Sequence, residues 1–152
     1  MLIQAVLHDN EINGIEIVRR MLQQKRFKTN RGAVIAVPIL NIFGFIHFSL
    51  DVPDGKDVNR SFPGTKSGAM ASRMAYDYIT QIMHQVDFAI DLHTGGAQRH
   101  NFPQIRLTWE DGFSRELVEI FNVPFSFSSR LIKESFRNAA FHMGKPTIVF
   151  EA

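Results

Sequence analysis

The chain has 152 residues, of which 45% are hydrophobic and 21% are charged, with 17 Lys and Arg against 15 Asp and Glu. This length and balance are typical of one globular domain with a substantial core, and they exclude a disordered or collagen-like chain. The charges are scattered and the net charge is only +2, so we expect no nucleic-acid partner. Cysteine is absent, which excludes disulfides, thiol nucleophiles and Cys-based zinc sites.

The ends and the apolar runs of the chain lead to expectations about its location and extent. The longest unbroken apolar run covers residues 33–40, whereas a membrane-spanning helix needs about 20 residues. We therefore expect no membrane segment. The first apolar run has no basic leader or cleavage site before or after it, so the default location is the cytoplasm. The chain begins and ends on strand-like runs, which favours a fragment of a longer protein.

Strands and helices are predicted in alternation along the chain. Apolar, β-branched runs bounded by turn residues predict strands, and apolar residues at helical spacing predict helices. The predicted strands cover residues 2–7, 33–38, 86–92, 104–108 and 147–150. The predicted helices cover residues 11–27, 67–85, 112–121 and 134–142. This alternation predicts an α/β fold, a three-layer sandwich whose central sheet is mostly parallel or mixed.

Between the second strand and the second long helix, the proline- and glycine-rich segment 39–66 is predicted as one irregular loop. Loops of that length in a compact domain are usually functional.

Side chains that bind metals or protons lie at the ends of three predicted strands. His8 follows the first strand, with Glu11 at the start of the next helix, His93 follows a later strand and Glu151 follows the last. Ligands of open α/β sheets bind outside the carboxyl ends of the strands. We therefore expect these side chains to converge on one edge of the sheet.

Two histidines and one carboxylate are the ligand set of a catalytic zinc site, which leaves the fourth tetrahedral position to water. We predict one Zn²⁺ per chain, held by His8, Glu11 and His93. Such a site needs a further carboxylate that accepts and returns a proton, and Glu151 is the candidate. Taken singly, each motif also fits a structural role, because His-x-x-Glu is common by chance and residues 91–96 would form a capped turn. Their convergence favours the metal site.

Polar residues outside the strand ends are candidates for substrate binding. Asn59 and Arg60 lie side by side in the irregular segment, and arginine can bind a carboxylate through two parallel hydrogen bonds. A solvated loop arginine is an equally good interpretation of this segment alone. Arg99 and Arg106 closely follow a strand that carries a predicted ligand, and we expect them to line the pocket and bind the acidic end of a substrate.

Residues 7–14 read LHDNEING, residues 54–64 read DGKDVNRSFPG and residues 91–96 read DLHTGG. In this order and spacing, the three segments resemble the succinylglutamate desuccinylase/aspartoacylase family, zinc-dependent deacylases that are related to the zinc carboxypeptidases. The resemblance implies a zinc carboxypeptidase-like fold. It implies that residues 1–152 form a zinc-hydrolase catalytic domain without the leading strands and the β-rich C-terminal region of family members.

The same resemblance implies roles for individual residues. It supports zinc ligation and general-base catalysis by the residues named above for them. It implies that Asn59 and Arg60 bind a substrate carboxylate or carbonyl oxygen, and that Asp57 orients His8 from behind. The implied reaction is hydrolysis of the amide bond of an N-acyl amino acid or a similar acylated small molecule.

Two departures from the family pattern keep alternatives open. Asp9 stands where the family usually has glycine, and residues 49–52 lack the arginine that many members carry before the Asn-Arg pair. A zinc carboxypeptidase acting on peptides would share the ligands and the Asn-Arg pair. A metal-binding module without catalysis would tolerate both departures. The sequence leaves open the acyl group, the amino acid and whether the chain forms a homo-oligomer.

Overall fold

The computed structural model describes residues 1–7, 11–95 and 100–152, so His8 and Arg99 lie outside the described residues. The described strands are β1 (Leu2–Ala5), β2 (Ile35–Val37), β3 (Asp51–Val52), β4 (Lys56–Asp57), β5 (Ala89–His93), β6 (Gln104–Leu107), β7 (Phe125–Ser128) and β8 (Thr147–Glu151). The described helices are α1 (Asn13–Gln23), α2 (Ile42–His47), α3 (Met70–Gln81), α4 (Gly112–Phe121) and α5 (Phe136–His142). Two 3₁₀ turns cover Val58–Arg60 and Met83–Gln85.

Six of the strands form one mixed sheet in the order β2-β1-β5-β8-β6-β7. The neighbouring strands are parallel except β6 and β8, which are antiparallel. Strands β3 and β4 pair as a separate antiparallel hairpin. The predicted mostly parallel or mixed sheet is therefore confirmed.

The sheet carries a hydrophobic core on each face, because successive side chains of a strand point to opposite faces. On one face Leu2 packs in a cluster with Phe136 of α5 and with apolar residues of α3. On the other face Ile3 packs in a cluster with Val18 of α1 and Leu117 of α4. Helices on both faces give the predicted three-layer sandwich. Within the described ranges, no helix has the length and apolar character that a bilayer crossing needs.

The start of α1 lies unusually close to the sheet. A Cβ atom added to Gly14 would lie 2.6 Å from the Cβ of Ala5 and 3.2 Å from the Cβ of Leu92. Only a residue without a side chain allows this approach. The close packing brings Glu11, two residues before the helix, next to the carboxyl end of β5.

Some predicted bounds and one predicted loop are wrong. The helix predicted at residues 11–27 is shorter at both ends, and the one predicted at 67–85 divides into α3 and a 3₁₀ turn. The segment 39–66 is not one irregular loop, because it contains α2 and the β3–β4 hairpin. Helix α2 starts where the side chain of Asn41 accepts a hydrogen bond from the Gly44 N–H at 2.9 Å, which is N-capping that stabilises even a short helix.

Candidate metal and catalytic site

Six of the predicted site residues line one cavity, whose volume is about 530 Å³. They are Glu11, Asn59, Arg60, His93, Arg106 and Glu151. They come from β5, β6, β8, the start of α1 and the 3₁₀ turn after β4. The structure therefore brings together residues that are up to 140 positions apart in the chain.

The register of the sheet explains this convergence. Gln104 of β6 pairs with Glu151 of β8, and Glu151 pairs with His93 of β5. Residues that pair across neighbouring strands point to the same face, so these three side chains form a row along the sheet. In the adjacent row on the same face, Arg106 pairs with Val149 and Val149 pairs with Asp91. The cavity lies over these two rows.

His93 lies between two carboxylates at the buried end of the cavity. Its Nδ1 is 2.6 Å from Oε2 of Glu11, and its Nε2 is 2.9 Å from Oδ2 of Asp91. The same Oε2 of Glu11 accepts a hydrogen bond from the Thr94 N–H at 3.4 Å. His93 is only 8% exposed. Burial alone would lower the pKa of His93, but the Asp91 and Glu11 carboxylates outweigh burial and raise that pKa well above its usual value.

This arrangement fits a metal ion. A neutral imidazole donates one proton only, so without a second proton or a cation one ring nitrogen would present its lone pair to a carboxylate. A carboxylate bonded to the outer ring nitrogen is the usual partner of a metal-ligating histidine, which is the relation of Asp91 to Nε2. The Nδ1 atom of His93 and the carboxylate of Glu11 are then the pair that would hold a cation, and both are donors that zinc accepts.

The third predicted ligand, His8, lies outside the described residues. Within residues 1–7, 11–95 and 100–152, no three His, Cys, Asp or Glu side chains are grouped as a complete metal site.

Glu151 is 5% exposed and its carboxylate is held by three donors. Its Oε2 accepts hydrogen bonds from Nδ2 of Asn101 at 3.0 Å and from Nε2 of Gln104 at 3.4 Å. Its Oε1 forms an ion pair with a guanidinium nitrogen of Arg106. Arg106 therefore contacts Glu151, the predicted general base. A contact between Arg106 and a substrate stays a prediction.

The Asn-Arg pair is fixed by the backbone around it. The Oδ1 atom of Asn59 accepts a hydrogen bond from the Phe136 N–H at 2.9 Å, and the Asn59 N–H donates to Oδ1 of Asp57 at 2.7 Å. Arg60 donates from NH1 to the Asn59 carbonyl at 2.7 Å and lies 4.0 Å from Oδ2 of Asp57. Asn59 and Arg60 therefore have defined positions on the cavity wall. The predicted contact of Asp57 with His8 falls outside the described residues.

Sequence reasoning missed two charged residues of the site, Asp91 and Arg137. Arg137, on α5, is 9% exposed and lines the cavity. Its NH2 donates to the carbonyls of Ser129 and Arg130, each at 2.9 Å, and its NH1 is buried with no partner in the described part of the chain. Burial lowers the pKa of Arg137, the charge of Arg106 lowers it further, and Asp91 opposes both.

Of these two residues, only Asp91 could have been identified from the sequence. An acidic residue inside an otherwise apolar strand is uncommon unless it has a partner, and His93 lies two positions later on the same face. Arg137 follows a helix cap, where an arginine is unremarkable, so only the packing of α5 reveals it.

The mixed sheet between two helix layers is a fold that solved structures of other proteins share. A metallo-carboxypeptidase from Burkholderia cenocepacia shares this fold with a TM-score of 0.72 at 15% identity, over 99% of this chain and 46% of that one. The family model for the succinylglutamate desuccinylase/aspartoacylase catalytic domain matches residues 1–152. The chain belongs to this family, as its three motifs predicted.

The chain is also similar to three further proteins. A crystal structure of an aspartoacylase family protein from Mesorhizobium loti has a TM-score of 0.88 and 25% identity, covering 99% of this chain and 51% of that one. The product-bound ectoine utilization protein EutE (DoeB) from Ruegeria pomeroyi has a TM-score of 0.83 and 25% identity, covering 99% and 48%. An N-alpha-acetyl-L-2,4-diaminobutyric acid deacetylase from Halomonas elongata is 34% identical over 91 residues, which are 59% of this chain and 26% of that protein.

The chain spans about half the length of these similar structures and about a quarter of the deacetylase.

Proposed function

We propose that this chain is the catalytic domain of a zinc-dependent deacylase, which hydrolyses the amide bond of an N-acyl amino acid or a similar acylated small molecule. The observation that carries the proposal is the row formed by His93 and Glu151 across β5 and β8, with Glu11 at 2.6 Å from His93. The similar deacetylase, whose name gives an N-acetylated amino acid as its substrate, supports this choice of reaction. The cytoplasm is the proposed location.

The metal would be held by His8, Glu11 and His93. When bound, zinc supplies a Lewis acid that polarises the scissile carbonyl and lowers the pKa of the attacking water to about 7. Asp91 fixes the ring of His93 through the 2.9 Å contact with Nε2, so that Nδ1 faces Glu11, the other described residue that would hold the metal. Asp57 would orient His8 in the same way.

Glu151 would take the proton of the attacking water and return it to the departing amine nitrogen. Its carboxylate lies in the same row as His93, and Asn101, Gln104 and Arg106 hold both oxygens. Because the carboxylate is already held in place, little conformational entropy is lost when the transition state forms, and this favours proton transfer.

Substrate binding falls to the cationic and amide groups on the cavity wall. Because Oδ1 of Asn59 is bonded to Phe136, the amide nitrogen is the part of Asn59 that would donate to a substrate oxygen. Arg60 would bind a substrate carboxylate or polarise its carbonyl. Arg106 and Arg99 would extend this positive lining toward the acidic end of the substrate, together with Arg137, the arginine that the sequence did not reveal.

Elemental analysis tests the metal part of the proposal. We expect close to one zinc per purified chain, and we expect His93→Ala to lose it. His142→Ala, which changes an exposed histidine of α5, is the matched control and should keep the metal. Zinc retained in full by His93→Ala would refute the ligand assignment.

A substrate panel tests the reaction. The zinc-loaded chain is offered N-acetyl and N-succinyl amino acids, including N-acetyl-2,4-diaminobutyrate, and short peptides with free C-termini. We expect amine release from the acylated amino acids and none from the peptides. Cleavage of the peptides alone would favour a carboxypeptidase. Bound zinc without turnover of any amide would favour a metal-binding module.

A further inference from the structure

Behind the cavity, two buried polar side chains that the proposed reaction does not use are bonded to each other. Gln4 of β1 is fully buried, and the hydroxyl of Tyr78 on α3 donates to its Oε1 at 2.6 Å. Tyr78 itself is held in the core by edge-to-face contacts with Phe62 and Phe136. Burial, and the nearby charge of Asp91, raise the pKa of Tyr78 well above its usual value, so Tyr78 stays a hydrogen-bond donor.

Gln4 also lies directly beside Asp91. The two residues pair in the register of β1 and β5, so their side chains point to the same face from strands about 4.7–4.9 Å apart. Two atoms of this pair are buried without a partner in the described part of the chain, Nε2 of Gln4 and Oδ1 of Asp91. One is a donor and the other an acceptor. Buried polar groups are nearly always satisfied, directly or through an ordered water.

We infer that Gln4 is a positioning residue, whose amide links the Tyr78 hydroxyl to the Asp91 carboxylate and thereby holds Asp91 against the ring of His93. Nε2 of Gln4 donates to Oδ1 of Asp91 across one buried water, which leaves Oδ2 directed at Nε2 of His93. This orients the ring so that Nδ1 faces Glu11. The inference rests on the proposed function for the identity of the metal. For the link to His93 it rests on the register of Gln4 with Asp91 and on the contact of Asp91 with His93.

Arg137 offers a second donor near the same carboxylate, because its NH1 is also buried without a partner among the described residues and its charge interacts with that of Asp91. A carboxylate oxygen accepts two hydrogen bonds, so the two donors are compatible. The two donors are held in place by different partners. Gln4 is fixed by its strand and by Tyr78, whereas Arg137 is fixed by the carbonyls of Ser129 and Arg130. Replacing Gln4 therefore tests its own contribution.

The experiment compares the full chain with Gln4→Leu and Tyr78→Phe. The matched control is Leu2→Val, which alters a fully buried residue on the same strand and face without touching the polar link. Two quantities are measured: the zinc dissociation constant by chelator competition, and hydrogen exchange of the His93 Nε2–H by NMR on metal-free protein with ¹⁵N-labelled histidine.

We expect Gln4→Leu to weaken zinc binding about 10–100-fold, the range found for residues that orient metal ligands, and to speed exchange of the His93 Nε2–H. Tyr78→Phe should change both quantities in the same direction by a smaller factor, and Leu2→Val should change neither. Should Gln4→Leu fail to fold, Tyr78→Phe decides the question, since it removes one oxygen only.

Zinc affinity within twofold of wild type, together with an unchanged His93 signal in the variants, would overturn the inference and leave the proposed function intact. If the wild-type chain does not bind zinc, the proposed function fails. The exchange of the His93 Nε2–H in the metal-free variants then decides the inference by itself.

Discussion

At the scale of single residues, Asp91 is the side chain that lies next to several of the other buried polar groups of the site. It contacts His93 through Oδ2, lies beside Gln4 in the register of the sheet, and opposes the lowering of the Arg137 pKa. A carboxylate that is only 3% exposed is costly unless charged or hydrogen-bonding partners surround it. The need to satisfy Asp91 explains why polar residues from β1, β5 and α5 gather at one position.

Glu151 gives the first prediction at this scale. Glu151→Gln keeps the size of the side chain but removes its capacity to accept a proton. We expect kcat for an N-acyl amino acid to fall by about 10²–10⁴, the usual contribution of a general base, with the zinc content unchanged. Steady-state kinetics with elemental analysis of the same samples would check this.

Glu119→Gln is the control, because Glu119 is an exposed residue of α4 and its replacement should leave kcat unchanged. Turnover at the wild-type rate by Glu151→Gln would show that another group moves the proton.

At the scale of secondary structure, the start of α1 couples helix packing to the site. Glu11 precedes the helix by two residues, and the close approach of Gly14 to Ala5 and Leu92 sets its distance from His93. The helix is therefore a positioning element as well as a covering layer. Its side chains on the solvent side have a separate role, because Glu16 binds both Arg19 and Arg20 one turn later.

Gly14→Ala tests the packing of α1. The added methyl group would meet the Cβ of Ala5 at 2.6 Å, so the helix must move away. We expect the free energy of unfolding to fall by about 1–3 kcal/mol, as for other overpacked cores, and zinc affinity to fall with it. Urea unfolding and chelator competition would measure the two effects.

The control is Gly112→Ala at the start of α4, where the nearest atom to an added Cβ is a guanidinium nitrogen of Arg115 at 3.6 Å. We expect this change to be neutral or to stabilise by about 0.4–1 kcal/mol. Equal effects of the two substitutions would contradict the packing argument.

Glu16 gives a prediction about pH. Hydrogen bonds from Arg19 and Arg20 lower the pKa of Glu16 to about 2 from an ordinary value of 4.5. A carboxyl group whose pKa is lower in the folded state stabilises the fold above its unfolded pKa, and this stabilisation disappears as the pH falls through the folded value. Glu16→Gln should thus lower the Tm slightly at pH 6, and the difference should shrink as the pH falls from 4.5 toward 2.

Thermal unfolding of Glu16→Gln and wild type at pH 6 and pH 3 would measure this difference. Because Glu16 is on the surface, the effect at any pH is small. A Tm difference that grows on acidification would show that the pairs with Arg19 and Arg20 do not stabilise α1.

For the whole molecule, the most unusual surface is the edge strand β7. Its side chains are all exposed, with Phe125 58% and Phe127 41% accessible, and Phe102 packs edge-to-face against Phe125 at 5.3 Å. β7 is the last strand of the sheet, so among residues 1–7, 11–95 and 100–152 no strand pairs with the other side of its backbone. Exposed apolar edge strands favour association between chains.

Phe125→Lys should therefore reduce concentration-dependent self-association, because a lysine on an edge strand opposes pairing with another edge. Light scattering over a dilution series would measure the effect. Ile120→Lys is the control, since Ile120 is 80% exposed but lies on helix α4 and so cannot take part in pairing between strand edges. An equal reduction by both variants would indicate general surface hydrophobicity as the cause.

The local pattern of the sequence determined much of this structure. The strands that form β1, β2, β5, β6 and β8 were predicted from apolar runs, since burial on both faces requires continuous apolar sequence. The family, and four of the residues that line the cavity (Glu11, Asn59, Arg60 and His93), followed from three short motifs. Glu151 and Arg106 were predicted from their positions at the end of a strand or shortly after one. β7 was not predicted, because residues 125–128 read Phe-Ser-Phe-Ser and do not form a continuous apolar run. Its side chains are exposed, so burial does not require such a run there.

The tertiary structure alone decided which side chains meet. Nothing in the sequence places Arg106 opposite Val149 and within reach of Glu151, because register across an antiparallel pair depends on long-range packing. The same holds for Gln4 beside Asp91, separated by 87 positions in the chain, and for Arg137, which the packing of α5 brings to the cavity. Local sequence specifies elements and chemically capable residues, whereas the distances between them are set by the closure of the whole core.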